Sequence, residues 1–232
     1  MKKLLLSVLF TLMMLPAAGF GAETAPKLSK LDKEIAKCRK KVEVYPNDAE
    51  LRNRLGAALY NKGLQIEAVE QYRKAIELNP KLSYPHYGLA VALQQVGSLD
   101  EAIAEYRKSV QFGPKYSWNH RNMGEALEKK GQFDEAISEF RKAVAIEPKN
   151  VWHRKALGYA LQKKGLNAEA VVEFRKAVAA DPKSASAHHA LGMSLKMMGQ
   201  NKEAVVELEK FLLLVGADAS YKSELPNIRK IV

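Results

Sequence analysis

Few groups in this sequence could do acid–base, metal or covalent chemistry: 5 histidines and a single cysteine, Cys38, set among 37 basic and 26 acidic side chains. Zinc needs ligands converging to within about 2.0–2.3 Å of one ion. His86, His120 and His188 are separated by multiples of 34 residues. Carried on successive helical units they would stand roughly 10 Å apart, too far to share a metal. By the same argument His153 and His189 have no second histidine with which to share an ion, so the histidines are expected to be interface residues. The chain has no Cys-x-x-Cys-His haem site, no His-Glu-x-x-His metal site, no Gly-x-Ser-x-Gly elbow and no phosphate loop. Neither an enzyme nor a cofactor is therefore expected. What remains is a set of aromatic and basic side chains: Tyr84, Tyr87, Trp118, Arg121, Trp152, Lys155 and Tyr159. Aromatics beside Arg and Lys have the composition of a protein-binding hot spot.

The elements that must position these residues are set by an internal period. Prolines recur at 46, 80, 114, 148 and 182, with Gly216 in the next slot, and glycines at 63, 97, 131, 165 and 199. Ala68, Ala102, Ala136, Ala170 and Ala204 keep the same step, each preceded by Glu. Tyr72, Tyr106, Phe140, Phe174 and Leu208 form another column. Leu55, Leu89, Met123, Leu157 and Leu191 each stand one helical turn before a second leucine on the same face. A small residue lies between them (Gly56, Ala90, Gly124, Gly158, Gly192), where another helix can approach. The glycine column ends a first helix, because Gly accepts the left-handed conformation at a helix C-terminus. Proline then stops the second. Asp48, Ser83, Ser117, Asn150 and Ser184 are the expected N-caps of the first helices. A helix–turn–helix unit of this kind cannot bury its apolar stripe alone, so neighbours must stack.

These columns closely resemble the tetratricopeptide repeat (TPR) over five frames, 49–82, 83–116, 117–150, 151–184 and 185–218. The resemblance implies an all-α, right-handed superhelical solenoid of antiparallel helix pairs. Its concave groove would be lined by the first helix of each pair. One departure is the slot that holds tryptophan early in the family's first helix, occupied here by Arg52, His86, His120, Arg154 and His188. Nor is the family's clamp for a C-terminal carboxylate reproduced, since Asn53 and Ala57 stand where its basic residue and asparagine belong. At about 100° per residue, the second, fifth, ninth, twelfth and thirteenth places of each frame face the groove. All seven aromatic and basic candidates fall on those places, in frames two to four. The pairs Glu105/Lys108, Glu139/Lys142 and Glu173/Lys176 are expected to solvate the outer face.

The flanks have their own reading. Lys2 and Lys3, an apolar run from Leu4 to Leu15 and small residues to Ala22 read as a signal peptide over 1–21. Cleavage after Gly19 and retention as an uncleaved anchor are the alternatives. Residues 22–31 read as a linker, 32–48 as an N-terminal capping half-repeat and 219–232 as a C-terminal cap bearing Tyr221, Leu225, Ile228 and Ile231. Cys38 falls in the aromatic column and is expected to pack as a small hydrophobe rather than to bridge. Net charge is +11, or +9 without Lys2 and Lys3, which favours acidic partners. No basic block alternates with aromatics as a nucleic-acid stacking platform would require, and no stable transmembrane anchor is expected. The expectation is thus a secreted or periplasmic adaptor that holds a segment of another envelope protein in its groove. A self-assembling homo-oligomeric scaffold is the alternative.

Overall fold

The structure is a computed structural model, and it describes residues 29–216. Within them the chain forms helices only: α1 (Lys30–Val44), α2 (Ala49–Asn61), α3 (Gln65–Leu78), α4 (Ser83–Gln95), α5 (Leu99–Phe112), α6 (Ser117–Lys129), α7 (Phe133–Ile146), α8 (Val151–Lys163), α9 (Asn167–Ala180), α10 (Ala185–Met197) and α11 (Asn201–Val215). None is long and apolar enough to cross a membrane. The expected signal peptide and the 219–232 cap lie outside the described residues.

Each first helix ends in the same way. Gly63 has φ +84°, and the equivalent glycines at 97, 131, 165 and 199 also have positive φ. In the first of these turns the Leu64 amide donates to the Leu59 carbonyl at 3.0 Å and Gly63 to Tyr60 at 2.9 Å. This is the Schellman pair of bonds, which satisfies carbonyls that the helix end leaves open. The tight turn folds α3 back onto α2, and the later hairpins repeat it. The small column is required by the crossing it creates: a Cβ on Gly158 would come within 2.5 Å of the Phe174 ring. The Ala column and the aromatic column of the second helices are buried, and together they form the core between hairpins.

The backbones of successive first helices approach closely, α2 with α4, α4 with α6, α6 with α8 and α8 with α10, whereas those of successive second helices stand farther apart. The stack therefore curves with its first helices on the inside, which makes a groove of their exposed faces. A ladder of ion pairs joins second helices from one repeat to the next: Arg39–Glu67, Arg73–Glu101, Arg107–Glu135, Arg141–Glu169 and Arg175–Glu203. The Glu column, in the first turn of each second helix, thus supplies the acid of every rung.

The caps depart from expectation at two places. Asp48 and Asn150 do cap, accepting from the amides of Leu51 and of Trp152 and His153. Ser83 and Ser117 instead lie inside the first turn, and Leu82 and Tyr116 occupy the cap position without a side-chain bond. Their hydroxyls turn toward the second helix of their own hairpin: Ser83 Oγ donates to the Ser109 carbonyl at 2.9 Å, and Ser117 Oγ donates to Glu147 at the end of α7. Ser184 holds the cap position but makes no cap bond. At the N-terminal end, α1 starts at Lys30 with a Ser29–Asp32 capping box, so its first turn overlaps the stretch expected to be linker. It packs Ile35, Cys38 and Val42 inward, and Cys38 is a buried free thiol.

Candidate functional site

The fourth place of each frame explains how the array does without tryptophan. In repeat two, His86 is 2% exposed; its Nδ1 lies 2.6 Å from Glu105 Oε2 and its Nε2 2.8 Å from the Pro80 carbonyl of the preceding turn. His188 repeats both contacts with Glu207 and Pro182. His120 reaches Glu139 at 2.7 Å. Arg154 spans the same gap, donating to Glu173 at 2.6 Å and to the Pro148 carbonyl at 2.7 Å. Arg52 joins Gln71 and the Pro46 carbonyl. A nitrogen-bearing side chain thus ties the first helix to the second and, at Arg52, His86, Arg154 and His188, also to the proline carbonyl of the preceding turn. This corrects the expectation for the Glu/Lys pairs. Lys108, Lys142 and Lys176 do bond Glu105, Glu139 and Glu173 at 2.7 Å. Yet those carboxylates turn inward to the histidine or arginine and are largely buried. Two carboxylates of the set, Glu139 and Glu207, are held below the ordinary value against the opposing effect of burial, by hydrogen bonds from His120 and Lys142 and from Lys210 and His188.

On the inner face, the expected aromatics are exposed: Tyr84 39%, Trp118 41%, Trp152 59% and Tyr159 40%. They do not form one patch. The Tyr84 hydroxyl donates to Glu50 at 3.3 Å, and Tyr87 is half-buried with its hydroxyl accepting from Asn122 Nδ2 at 2.8 Å. Both therefore bridge repeats rather than share the main groove. Trp118 stands edge-on to His153 at 4.9 Å, with the Arg121 guanidinium 5.2 Å over its ring. Arg121, Trp152, Lys155 and Tyr159 converge with Glu125 and Lys163 on a groove of about 690 Å³.

The two basic candidates are not rim charges. Arg121 is ion-paired with Glu125, and Lys155 is 8% exposed with its ammonium 4.9 Å over the Trp152 ring. Burial pushes the Lys155 ammonium below the ordinary lysine value, and Arg121 adds to that. Burial also raises Glu125, against the opposing pull of Arg121. His153, absent from the expected site, is fully buried behind Trp118, and among the described residues neither ring nitrogen has a hydrogen-bond partner, Nε2 standing 3.7 Å from Glu147 Oε2. Burial lowers its pKa below 6.5. Its third place in the frame, on the flank between groove and core, gave no signal in the sequence. Among the described residues no group of three His, Cys, Asp or Glu could hold a metal ion.

Family models described as tetratricopeptide repeat match residues 85–116 and 127–191, and one described as TPR repeat matches 66–97. The chain carries tetratricopeptide repeats. Solved structures show the same solenoid. MamA superposes with a TM-score of 0.62 at 25% identity, over 68% of this chain and 98% of that one. YrrB, described as a TPR protein with an unusual peptide-binding site, gives 0.65 at 21% identity over 82% and 97%. MamA from Desulfovibrio magneticus RS-1 gives 0.67 at 21% identity over 74% and 97%. Comparison with curated proteins gives no match. At these identities the YrrB and D. magneticus likenesses speak for the fold alone. In this tetratricopeptide array the groove is floored by repeats three and four, where both tryptophans fall.

Proposed function

We propose that this tetratricopeptide array is an exported, non-catalytic adaptor that takes an extended or helical segment of another envelope protein into its concave groove. The observation that carries this is the cluster of half-exposed Trp152 and Tyr159 beside Lys155 on one concave wall. An array used only for stacking has no need of large aromatics on its solvent-facing side. Helices offer no sheet edge, so recognition must come from side chains. That YrrB is described as having a peptide-binding site agrees in kind.

The test compares two versions of the protein, unaltered and Trp152→Ala, each immobilised and exposed to envelope extract. A species retained by the first and lost by the second, which then shifts tryptophan emission on titration, supports the reading. Equal retention by both overturns the groove assignment. Export is tested separately by sequencing the native N-terminus, expected near Ala22; an intact Met1 on a cytoplasmic protein would reverse it. One observation favours the second reading, a scaffold of like copies: Leu213, Val206 and Leu214 stand 83%, 47% and 40% exposed on the last described helix. Sedimentation over a concentration series separates the two, since only the scaffold gains mass with concentration.

A further inference from the structure

Repeats three and four present the same unit on the groove wall, shifted by one period: Trp118, Arg121 and Glu125 in the first, Trp152, Lys155 and Tyr159 in the second. In repeat three the unit is electrically closed. The Arg121 guanidinium lies over its tryptophan and is ion-paired with Glu125 one turn on. In repeat four the cation is again laid over its tryptophan, but the position of the acid is taken by Tyr159, whose ring packs edge-on against Phe174 at 5.1 Å. Lys155 makes no ion pair or hydrogen bond among the described residues, although it is 8% exposed. The other groove acid nearby, Glu128, is engaged by Lys163. A buried ammonium is costly without a counter-charge, and the face of an indole offsets only part of that cost.

We infer that Lys155 is the open half of an ion pair whose carboxylate is brought by the partner, set into the groove between Trp152 and Tyr159 as Glu125 is set beside Arg121. The inference rests on the groove reading above and adds the chemical class of the occupant. Three features fit a carboxylate. The groove of about 690 Å³ admits a side chain with its stem against the two aromatic rings. The charges lining it are Arg121, Lys129, Lys155 and Lys163 against Glu125 and Glu128, so it is net positive. The internal precedent, Arg121 with Glu125, shows that the wall accommodates an acid at this height. Such a carboxylate could belong to an Asp or Glu side chain or to a chain terminus.

The probes are three short peptides: acetyl-Gly-Ser-Phe-Glu-Phe-Ser-Gly-amide, the same with Gln for Glu, and the Gln version cut after Gln to leave a free carboxylate. Binding is followed by calorimetry at low salt and by emission of the 2 tryptophans. The Glu peptide is expected to bind at least about tenfold more tightly than its Gln counterpart, a difference of about 1.4 kcal/mol. Lys155→Met should shrink that preference to within about twofold. Tyr159→Glu, which restores the acid of repeat three within the protein, should do the same while the helical circular dichroism is retained. The free-carboxylate arm tells a terminal from a side-chain source by whether it regains the preference. Equal binding of the Glu and Gln peptides, or a preference that survives both substitutions, overturns the inference. If both bind equally and both shift emission, the groove reading stands and the charge site falls. Failure of all three peptides also overturns it, leaving the groove reading to the Trp152→Ala retention experiment.

Discussion

At the scale of single residues, two buried titratable side chains, Lys155 and His153, have no hydrogen-bond partner among the described residues. Removing the Lys155 charge should stabilise the protein, because an unpaired buried ammonium is worse than an apolar side chain of similar length. Lys155→Met should raise stability by about 1 kcal/mol in chemical denaturation; a loss of that size would mean the cation–π contact outweighs the burial. His153 sets a pH dependence with a definite sign. Its pKa lies below the ordinary 6.5 through burial, with Arg121 also lowering and Glu147 partly opposing. The unfolded chain therefore takes up the proton first as pH falls, and this residue's share of stability is present above that value and lost below it. Measured from about pH 7 to about pH 5, His153→Leu should gain relative to the unaltered protein, by at most about 1.4 kcal/mol for each tenfold by which folding weakens proton binding. A constant difference across that range would show that His153 titrates as it does in the unfolded chain.

At the scale of the helix hairpin, the unit is held by a polar pin where the family places an indole. The pin needs a side chain that reaches both a carboxylate 19 residues on and the proline carbonyl six residues back, as His86 does to Glu105 and Pro80. Arg154 makes both bonds in the same place. His86→Arg should accordingly cost little. His86→Leu should cost about 2 kcal/mol by removing the imidazole contacts to one oxygen of the largely buried Glu105 carboxylate, whose other oxygen keeps Lys108, and to the Pro80 carbonyl. Urea denaturation of the two variants side by side is the measurement, and equal losses would mean that volume, not hydrogen bonding, holds the turn to the hairpin.

At the scale of the whole molecule, the main contacts among the described helices run between neighbouring repeats, and the exposed Arg–Glu ladder adds at most about 1 kcal/mol per rung. Damage should therefore stay regional. Gly131 has φ +79° and open space around its missing Cβ, so Gly131→Val strains the backbone without a clash. The strain should cost about 1–3 kcal/mol. Hydrogen exchange should quicken in α6 and α7 while α10 and α11 keep their protection. A uniform rise along the chain would show that the stack unfolds as one unit.

The sequence by itself determined the register of this array. Each unit must bury the same stripe, turn at the same glycine and stop at the same proline, so the physical constraint returns every 34 residues and is written out five times. The exposed aromatics were legible for the same reason, since a helical period assigns a face. Tertiary structure alone decided where the polar groups go. Ser83 and Ser117 look like caps in the chain but reach the second helix of their own hairpin instead. The Glu105 and Glu173 carboxylates look like outer-face charges but turn in to His86 and Arg154. Arg121 and Lys155 look equivalent, yet one is paired and the other buried alone over its tryptophan. Apolar burial is fixed by periodicity because it needs only a face. A hydrogen bond or ion pair needs a particular partner at about 3 Å, and for the two serines and the Glu105 and Glu173 carboxylates that partner comes from another helix or its end, which only the folded hairpin brings near.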